Sequence, residues 1–587
     1  MDGLFMVLGL IGGLALFLYG MDLMGDSLKK LAGGKLESIL ARLTSNDLKG
    51  FLLGFGVTAI IQSSSATTVM LVGFVNSGIM TLRQTISVIM GANIGTTVTA
   101  WLLSTSGIPD AAADIIKLFK PSSFTPILAI IGFIMITTAK NDRRKNVGGI
   151  LIGFAILMFG MDAMSGAVEG LRDNATFTNL LTSFSNPVLG ILVGTAFTAI
   201  IQSSSASVGV LQALSLSVAI PFSTAVPVIL GQNIGTTITP IISSISGNTD
   251  SKRVAASCVI IKTVGVVVIG GGFFVLDAFL DFGFMSWNAN PMTIAVVHTA
   301  FNILSTVILI PFCSLFAKLA EKLIKGKKGE GEKDVFATLD ERFLDMPGFA
   351  VEKCRELVCD MASISRDAFS KATSLMDNYD PAVFEEVNAL ESLVDKYEDK
   401  TSTYLVRIAE TQISAKDSKI VSELLHCIGD IERISDHALN IAEAAKEIHD
   451  KKIAFSEKAR GDIGVITSAV SETLDYAIDS LVTENLDTAK HVEPLEQVID
   501  HLKRKIKNGH ISRLRQGDCT MELGFVLSDL LTNYERISDH CSNIAVCVIE
   551  IAHDSFETHE YLSQIKAGEN TDFTKMYDEY MVKYSVE

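Results

Sequence analysis

The sequence predicts an all-α chain in two parts. A polytopic membrane region, built from inverted repeats with re-entrant helical hairpins, comes first; an acidic soluble helical bundle follows. Three observations carry this reading. Of 587 residues 48% are hydrophobic, and the mean hydropathy of +0.37 suits a chain partly immersed in lipid. Charge is divided: up to Ala320 there are 17 Lys and Arg against 14 Asp and Glu, and beyond it 32 against 52. The nonapeptide "TAIIQSSSA" occurs twice, at 58–66 and 198–206, each time inside an apolar stretch.

Taken in order, the first element is apolar from Leu4 to Tyr19. The N-terminal "MDGLFMVLGLIGG" has an acid where a signal peptide has a basic segment, so it reads as a retained membrane helix. Further spanning stretches are expected at Ile127 to Ile136, Val147 to Phe159, Val254 to Leu276 and Met292 to Phe316. Phe51 to Ile61 fits poorly, because eleven helical residues reach only about 16 Å, half of a bilayer core of roughly 30 Å. A helix starting at one interface therefore places Gln62 near the midplane. The stretch that follows Pro187 and ends at Gln202 has the same form.

Two further matches keep the 140-residue register. "YGMD" at 19–22 pairs with "FGMD" at 159–162, and "GANIGTT" at 91–97 pairs with "GQNIGTT" at 231–237. Three motifs in one ungapped register make a duplication. Lys29, Lys30, Lys35, Arg42 and Lys49 follow the first "GMD", whereas only Arg172 follows the second. By the positive-inside rule these equivalent loops lie on opposite sides, so the copies are inverted. The basic residues at Lys140, Arg143, Arg144 and Lys145, and the hinge of Lys318, Lys322, Lys325, Lys327, Lys328 and Lys333, then fall inside. That places the N-terminus outside and the acidic half in the cytosol. The expected divisions are 1–140 for the first membrane repeat, 141–320 for the second with its terminal helices, 321–337 for the linker and 338–587 for the soluble domain.

Broken backbone at membrane depth is tolerated only where protein buries it or where it lines a cavity. Two "QSSS" breaks from inverted copies should face each other, the arrangement of a secondary-transporter binding site. Helix N-termini, serine hydroxyls and a glutamine amide offer hydrogen-bond donors to an oxyanion. The same hydroxyls and unpaired carbonyls are hard ligands for a small cation. The candidate residues are Gln62, Ser63, Ser64 and Ser65 with Gln202, Ser203, Ser204 and Ser205, and a second polar pair, Asn93, Thr96 and Thr97 with Asn233, Thr236 and Thr237. Basic residues nearby are restricted to Arg83 and Lys262, so a bound dianion calls for co-bound cations.

These motifs resemble the type II sodium/phosphate cotransporter family, in its bacterial form with a C-terminal PhoU-like domain, over nearly the whole chain. The resemblance implies sodium-coupled transport of inorganic phosphate across the cell (inner) membrane, with the QSSS residues at hairpin tips around phosphate and sodium. "VHTAFN", with His298 and Asn302 one turn apart, fits the family pattern. Asp22 and Asp162 of the "GMD" pair read equally as cation ligands and as interface acids. A homodimer is among the assemblies the resemblance allows, and membrane lipid surrounds the first half.

From Leu339 onward, apolar residues at heptad-like spacing predict long amphipathic helices. "ERISDH" occurs at 432–437 and 535–540, and each copy is preceded by another Glu-x-x-x-Asp: Glu391 with Asp395, and Glu496 with Asp500. With Glu432, Asp436, Glu535 and Asp539 these form four carboxylate pairs, each on one helical face. Pairs from facing helices can hold a hard or borderline cation. They resemble the acidic motifs of PhoU domains, paired three-helix bundles, which implies a divalent or iron-type metal and a regulatory role. His437 and His540 read as candidate ligands or, in preference, as capping or surface residues.

Acidity and few aromatics argue against nucleic acid. Most of the eight cysteines lie in the acidic half without a CxxC pair, as expected in a reducing compartment. There is no GxxxxGK[ST] loop and no catalytic constellation, which argues against an ATP-driven pump and against an enzyme. The rival readings are an exporter of phosphate or arsenate, proton coupling, and a metal-responsive sensor with a non-transporting core.

Overall fold

The computed structural model describes residues 2–32, 46–108, 120–171, 184–326, 335–411, 413–517, 519–552 and 571–586. The basic residues Lys35, Arg42 and Arg172, and 327–334 of the hinge, lie outside them. Among the described residues the structure is helical apart from one isolated bridge, Pro221 to Asn288. It divides into two compact units, Met1–Phe349 and Ala350–Glu587.

In the first unit, α1 (Asp2–Ala32) is followed by a hairpin of α2 (Asp47–Ile61) and α3 (Ser64–Asn76), then by α4 (Leu82–Gly95) and α5 (Thr97–Ser104). After α6 (Pro121–Thr138) the pattern repeats. The second copy runs through α7 (Asp142–Val168), the hairpin α8 (Pro187–Ile201) and α9 (Ser204–Ser217), then α10 (Phe222–Gly235) and α11 (Ile238–Ser244). α12 (Thr249–Gly265), α13 (Gly271–Leu280), α14 (Pro291–Leu309) and α15 (Cys313–Leu323) complete it.

Among the described residues six helical stretches are long and apolar enough to cross a membrane. Two of them, Leu82–Gly107 and Phe222–Ser244, are absent from the list of spans expected from the sequence. Asn93, Thr96 and Thr97, and their counterparts, dilute the apolar runs there, while burial of all but the half-buried Asn93 in protein removes most of the cost.

Glycine fixes how the copies pack. An added Cβ at Gly13 or Gly20 of α1 would collide with the backbone around Gly160 or Gly153 of α7, and the reverse holds for the latter two. Gly13 therefore faces Gly160 and Gly20 faces Gly153, so these equivalent helices run antiparallel. Within the copies the same device recurs. Gly54 and Gly91 bring α2 against α4, and Gly194 and Gly231, each 140 residues later, bring α8 against α10.

The first unit extends to Phe349, past the linker expected at 321–337. Asp340 accepts from Asn76 Nδ2 at 2.7 Å and from Arg342 through two bonds of 2.6 Å. Phe343 is fully buried against Gly73 and forms an aromatic cluster with Phe74 and Phe349 at centroid distances of 4.9 to 5.6 Å. The segment that leads toward the soluble half is thus fastened to the C-terminal end of α3.

The second unit takes up most of α16 (Pro347–Asp377), then α17 (Pro381–Ala409) and α18 (Ala415–Lys451). A second set of three follows, α19 (Glu457–Thr483), α20 (Val492–Gln516) and α21 (Met521–Ala552), and α22 (Thr571–Lys583) packs on α20. α18 and α21 form the seam between the sets.

Candidate functional site

Each apolar hairpin arm ends because its glutamine leaves the helical region. Gln62 has φ 61° and ψ 18°, Gln202 φ 62° and ψ 15°, and their N–H groups close on the carbonyls of Thr58 and Thr198 at 2.8 and 2.7 Å. A non-glycine residue in this left-handed region costs about 1 kcal/mol or more. Glycine would relieve that strain, so the amide side chain is what the position retains. Ser63 and Ser203 are extended, and their hydroxyls cap α3 and α9 by accepting from Ala66 N at 3.1 Å and Ala206 N at 3.2 Å. Threonine braces join the arms: Thr58 to Thr67 at 3.0 Å and Thr198 to Ser207 at 2.8 Å.

The tips meet. Ser65 Oγ donates to the Gln202 carbonyl at 3.2 Å, and Thr239 Oγ1 approaches the same oxygen at 3.4 Å. Side chains then break the symmetry. Gln62 is buried, accepting from Thr99 Oγ1 at 2.7 Å and donating to the Ala59 carbonyl, whereas Gln202 is exposed. Ser64, Ser204 and Ser205 are buried at the helix starts.

The "NIGTT" segments form the breaks between α4 and α5 and between α10 and α11. Thr96 and Thr97 donate their hydroxyl protons to carbonyls of α4, and Thr236 and Thr237 to carbonyls of α10, at 2.7 to 3.0 Å. That leaves oxygen lone pairs outward as acceptors, the polarity a cation needs. Asn233 donates to the Ile229 carbonyl at 3.0 Å, and Asn93 is half-buried.

Sequence reasoning missed several polar residues here. Thr58, Thr99, Thr198 and Thr239 all lie in the 140-residue register, which was signal enough to find them. Gln212 and Gln232 replace Val72 and Ala92 of the first copy and carry no such signal. Gln212 ties α9 to the Ala100 and Pro291 carbonyls at 2.9 and 2.7 Å, and Gln232 bonds the Ser207 carbonyl at 3.0 Å. Both keep a buried amide oxygen without a partner among the described residues, as does His298 at Nδ1. Asn302 donates to the His298 carbonyl at 2.8 Å. Asp22 and Asp162 are exposed on α1 and α7.

In the second unit, Glu391 and Asp395 of α17 and Asp436 of α18 bring carboxylate oxygens within 4.8 Å of one another. Glu432 belongs to the same group: burial, then the Asp436 charge, raises its carboxyl to about 7, although the Arg433 side chain lies 3.6 Å away. Burial and Asp395 raise Glu391 as well. Such mutual repulsion is what a bound cation relieves, and the all-oxygen donor set fits a hard cation. The second set differs. Glu535 is ion-paired with Lys503, so an ammonium already stands beside one of the carboxylates whose charges, with that of Asp500, act on Asp539.

His437 and His540 are neither caps nor free surface residues. They stack across the seam at 5.9 Å, His437 Nδ1 pairing with Asn533 at 2.8 Å and His540 Nδ1 with Asp430 at 2.7 Å. Each partner comes from the opposite three-helix set, which explains why local sequence gave no hint of it.

Paired hairpins with touching polar tips, inside a polytopic helical unit, define a membrane protein of the secondary-transporter class. The chain matches the family described as Na+/Pi-cotransporter over residues 16–166 and again over 157–288, and the PhoU domain over 358–445 and 466–548. It belongs to the sodium/phosphate cotransporter family, with a PhoU domain. It is 23% identical over 564 residues to YjbB of Salmonella typhimurium, a protein named for inorganic phosphate export, covering 94% of this chain and 99% of the relative. A segment of 104 residues is 36% identical to human sodium-dependent phosphate transport protein 2B, covering 17% of this chain and 15% of that protein. The crystal structure of PhoU from Pseudomonas aeruginosa aligns with 35% of this chain and 97% of its own at 21% identity, with a TM-score of 0.33.

Proposed function

We propose that this protein couples the movement of inorganic phosphate to sodium across the cell's inner membrane, and that the two QSSS tips are the site. One observation carries the reading. Two hairpins of matched backbone, 140 residues apart, meet through Ser65 and Gln202. Helix starts, serine hydroxyls and the exposed Gln202 amide supply donors to phosphate oxygens. Hydroxyl oxygens of the "NIGTT" threonines, whose protons are spent on backbone, supply acceptors to sodium. The antiparallel packing of α1 on α7 supports inverted copies, which give the site equivalent routes to both faces.

The PhoU domain lies in the cytosol on this reading and acts as the regulator, with Glu391, Asp395, Glu432 and Asp436 as its cation site. The chain enters that domain from a segment that Asp340 and Phe343 fasten to α3. A second reading concerns direction. The relative aligned along nearly its full length is named for export, which favours net outward movement in the cell.

The test is radiolabelled phosphate flux in proteoliposomes under an imposed sodium gradient, with potassium and proton gradients as controls. Sodium-specific flux is expected. Flux that follows only the proton gradient refutes sodium coupling, and none under any gradient in folded protein refutes transport.

A further inference from the structure

Of the two basic residues the sequence offers as neighbours of the tips, Arg83 is accounted for: it pairs with Asp47 at 3.6 Å, at the start of α2 and so at the other end of that arm from Gln62. Lys262 is not. It lies on the inward face of α12 with the buried residues Cys258, Ile261 and Gly265. Among the described residues it makes no hydrogen bond or ion pair, and no carboxylate is among the groups that act on it. Its side chain is half-buried.

Its depth matches that of the tips. α12 begins where α3 ends: Ser251 Oγ donates to the Val72 carbonyl at 3.2 Å and to Asn76 Oδ1 at 3.1 Å, and the two helices pack together. From that joint, Lys262 is eleven residues along α12, and Ser65 is eleven residues back along α3. Both distances are about 16 Å, half of a bilayer core. An ammonium at the midplane with no acid beside it is costly in the protein alone, and such residues mark ion pathways. Its missing partner is a mobile anion.

We propose that Lys262 is the fixed counter-cation of the transported phosphate, neutralising one of its charges so that one fewer coupling cation is needed. The proposal rests on the reading of the tips as the phosphate site. His298, with Nδ1 unpartnered and buried beside Lys262, cannot serve instead, since a second positive charge there would be repelled.

Full-length wild type, Lys262→Met and Lys262→Arg are compared by thermal unfolding with and without inorganic phosphate in sodium, and by flux. The Met variant is expected to melt at or above the wild-type temperature without phosphate, because an unpaired charge is gone. It should lose most of the phosphate-induced shift and raise the phosphate KM roughly tenfold. Arg should retain both properties. A Met variant with wild-type shift and KM overturns the proposal, and so does one that cannot be recovered folded, which makes the ammonium structural. Arg and Met failing alike also overturns it. Wild type lacking both flux and a phosphate-induced shift refutes the underlying site, whereas a transporting wild type beside an unaffected Met variant refutes only the role of Lys262.

Discussion

The membrane unit and the acidic unit are both duplicated, and both break their symmetry at the site, but for different reasons. At the hairpin tips the relevant residues are identical in the two copies, Gln62 with Thr99 and Gln202 with Thr239, yet only Gln62 is drawn back onto its threonine through its side chain. In the acidic unit the difference is written in the sequence. Lys503 stands 105 residues after Glu398, in the register that aligns Glu496 and Asp500 with Glu391 and Asp395. An asymmetry without a sequence cause is one that a change of conformation can reverse, as alternating access requires. One made by a lysine is permanent and leaves the two sets of three helices with different charge at equivalent positions.

The largest effect that would break this contrast is at the tips. Replacing either glutamine by alanine should lower sodium-driven phosphate flux at least tenfold in protein that remains folded, since both arrangements are needed in a cycle. Loss in one variant with wild-type flux in the other would make a single tip sufficient.

Next in size are the duplicated glycines. Gly91→Ala and Gly231→Ala each push a methyl group into the facing backbone, at a cost of about 1–3 kcal/mol. Thermal unfolding should show similar losses for the two, because packing between hairpin and partner helix is the symmetric part of the fold.

The acidic unit gives a sharper, unequal pair. Asp436→Asn should abolish stabilisation by a divalent cation, worth about 2–3 kcal/mol near saturation, whereas Asp539→Asn should leave it intact. Equal loss in both would show that Lys503 does not exclude the ion.

The smallest expected effect is on pH. The Glu432 carboxyl is raised from 4.5 to about 7, so the folded chain holds its proton more tightly than the unfolded chain does. Stability from that proton is complete below about 4.5 and is lost as pH rises through 7. In metal-free protein, amide exchange in α17 and α18, corrected for its intrinsic pH dependence, should quicken a few-fold between pH 5.5 and 7.5. Added cation should remove the change.

Much of this was legible in the sequence. Eleven apolar residues before Gln62 marked a short arm that ends at the glutamine, and the 140-residue register gave both hairpins and the "NIGTT" breaks. What failed to show depended on contacts between distant segments. The spans at α4 and α10 were hidden because their polar residues are paid for by burial, which hydropathy does not register. Gln212 bonds carbonyls of α5 and α14, Phe343 fills the space over Gly73, and His540 finds Asp430 across the seam; none has a local pattern. Lys262 was visible as a lone charge, but its lack of a partner is a three-dimensional fact.

The central claim is that the two tips form one phosphate site, and phosphate protection of Gln202 tests it most directly. A Gln202→Cys chain, with its other eight cysteines replaced, is labelled by a membrane-permeant maleimide with and without inorganic phosphate in sodium. The account predicts labelling that slows when both ions are present, with little slowing by phosphate in potassium. Labelling that phosphate leaves unchanged in sodium, in a variant that still binds phosphate, would contradict it.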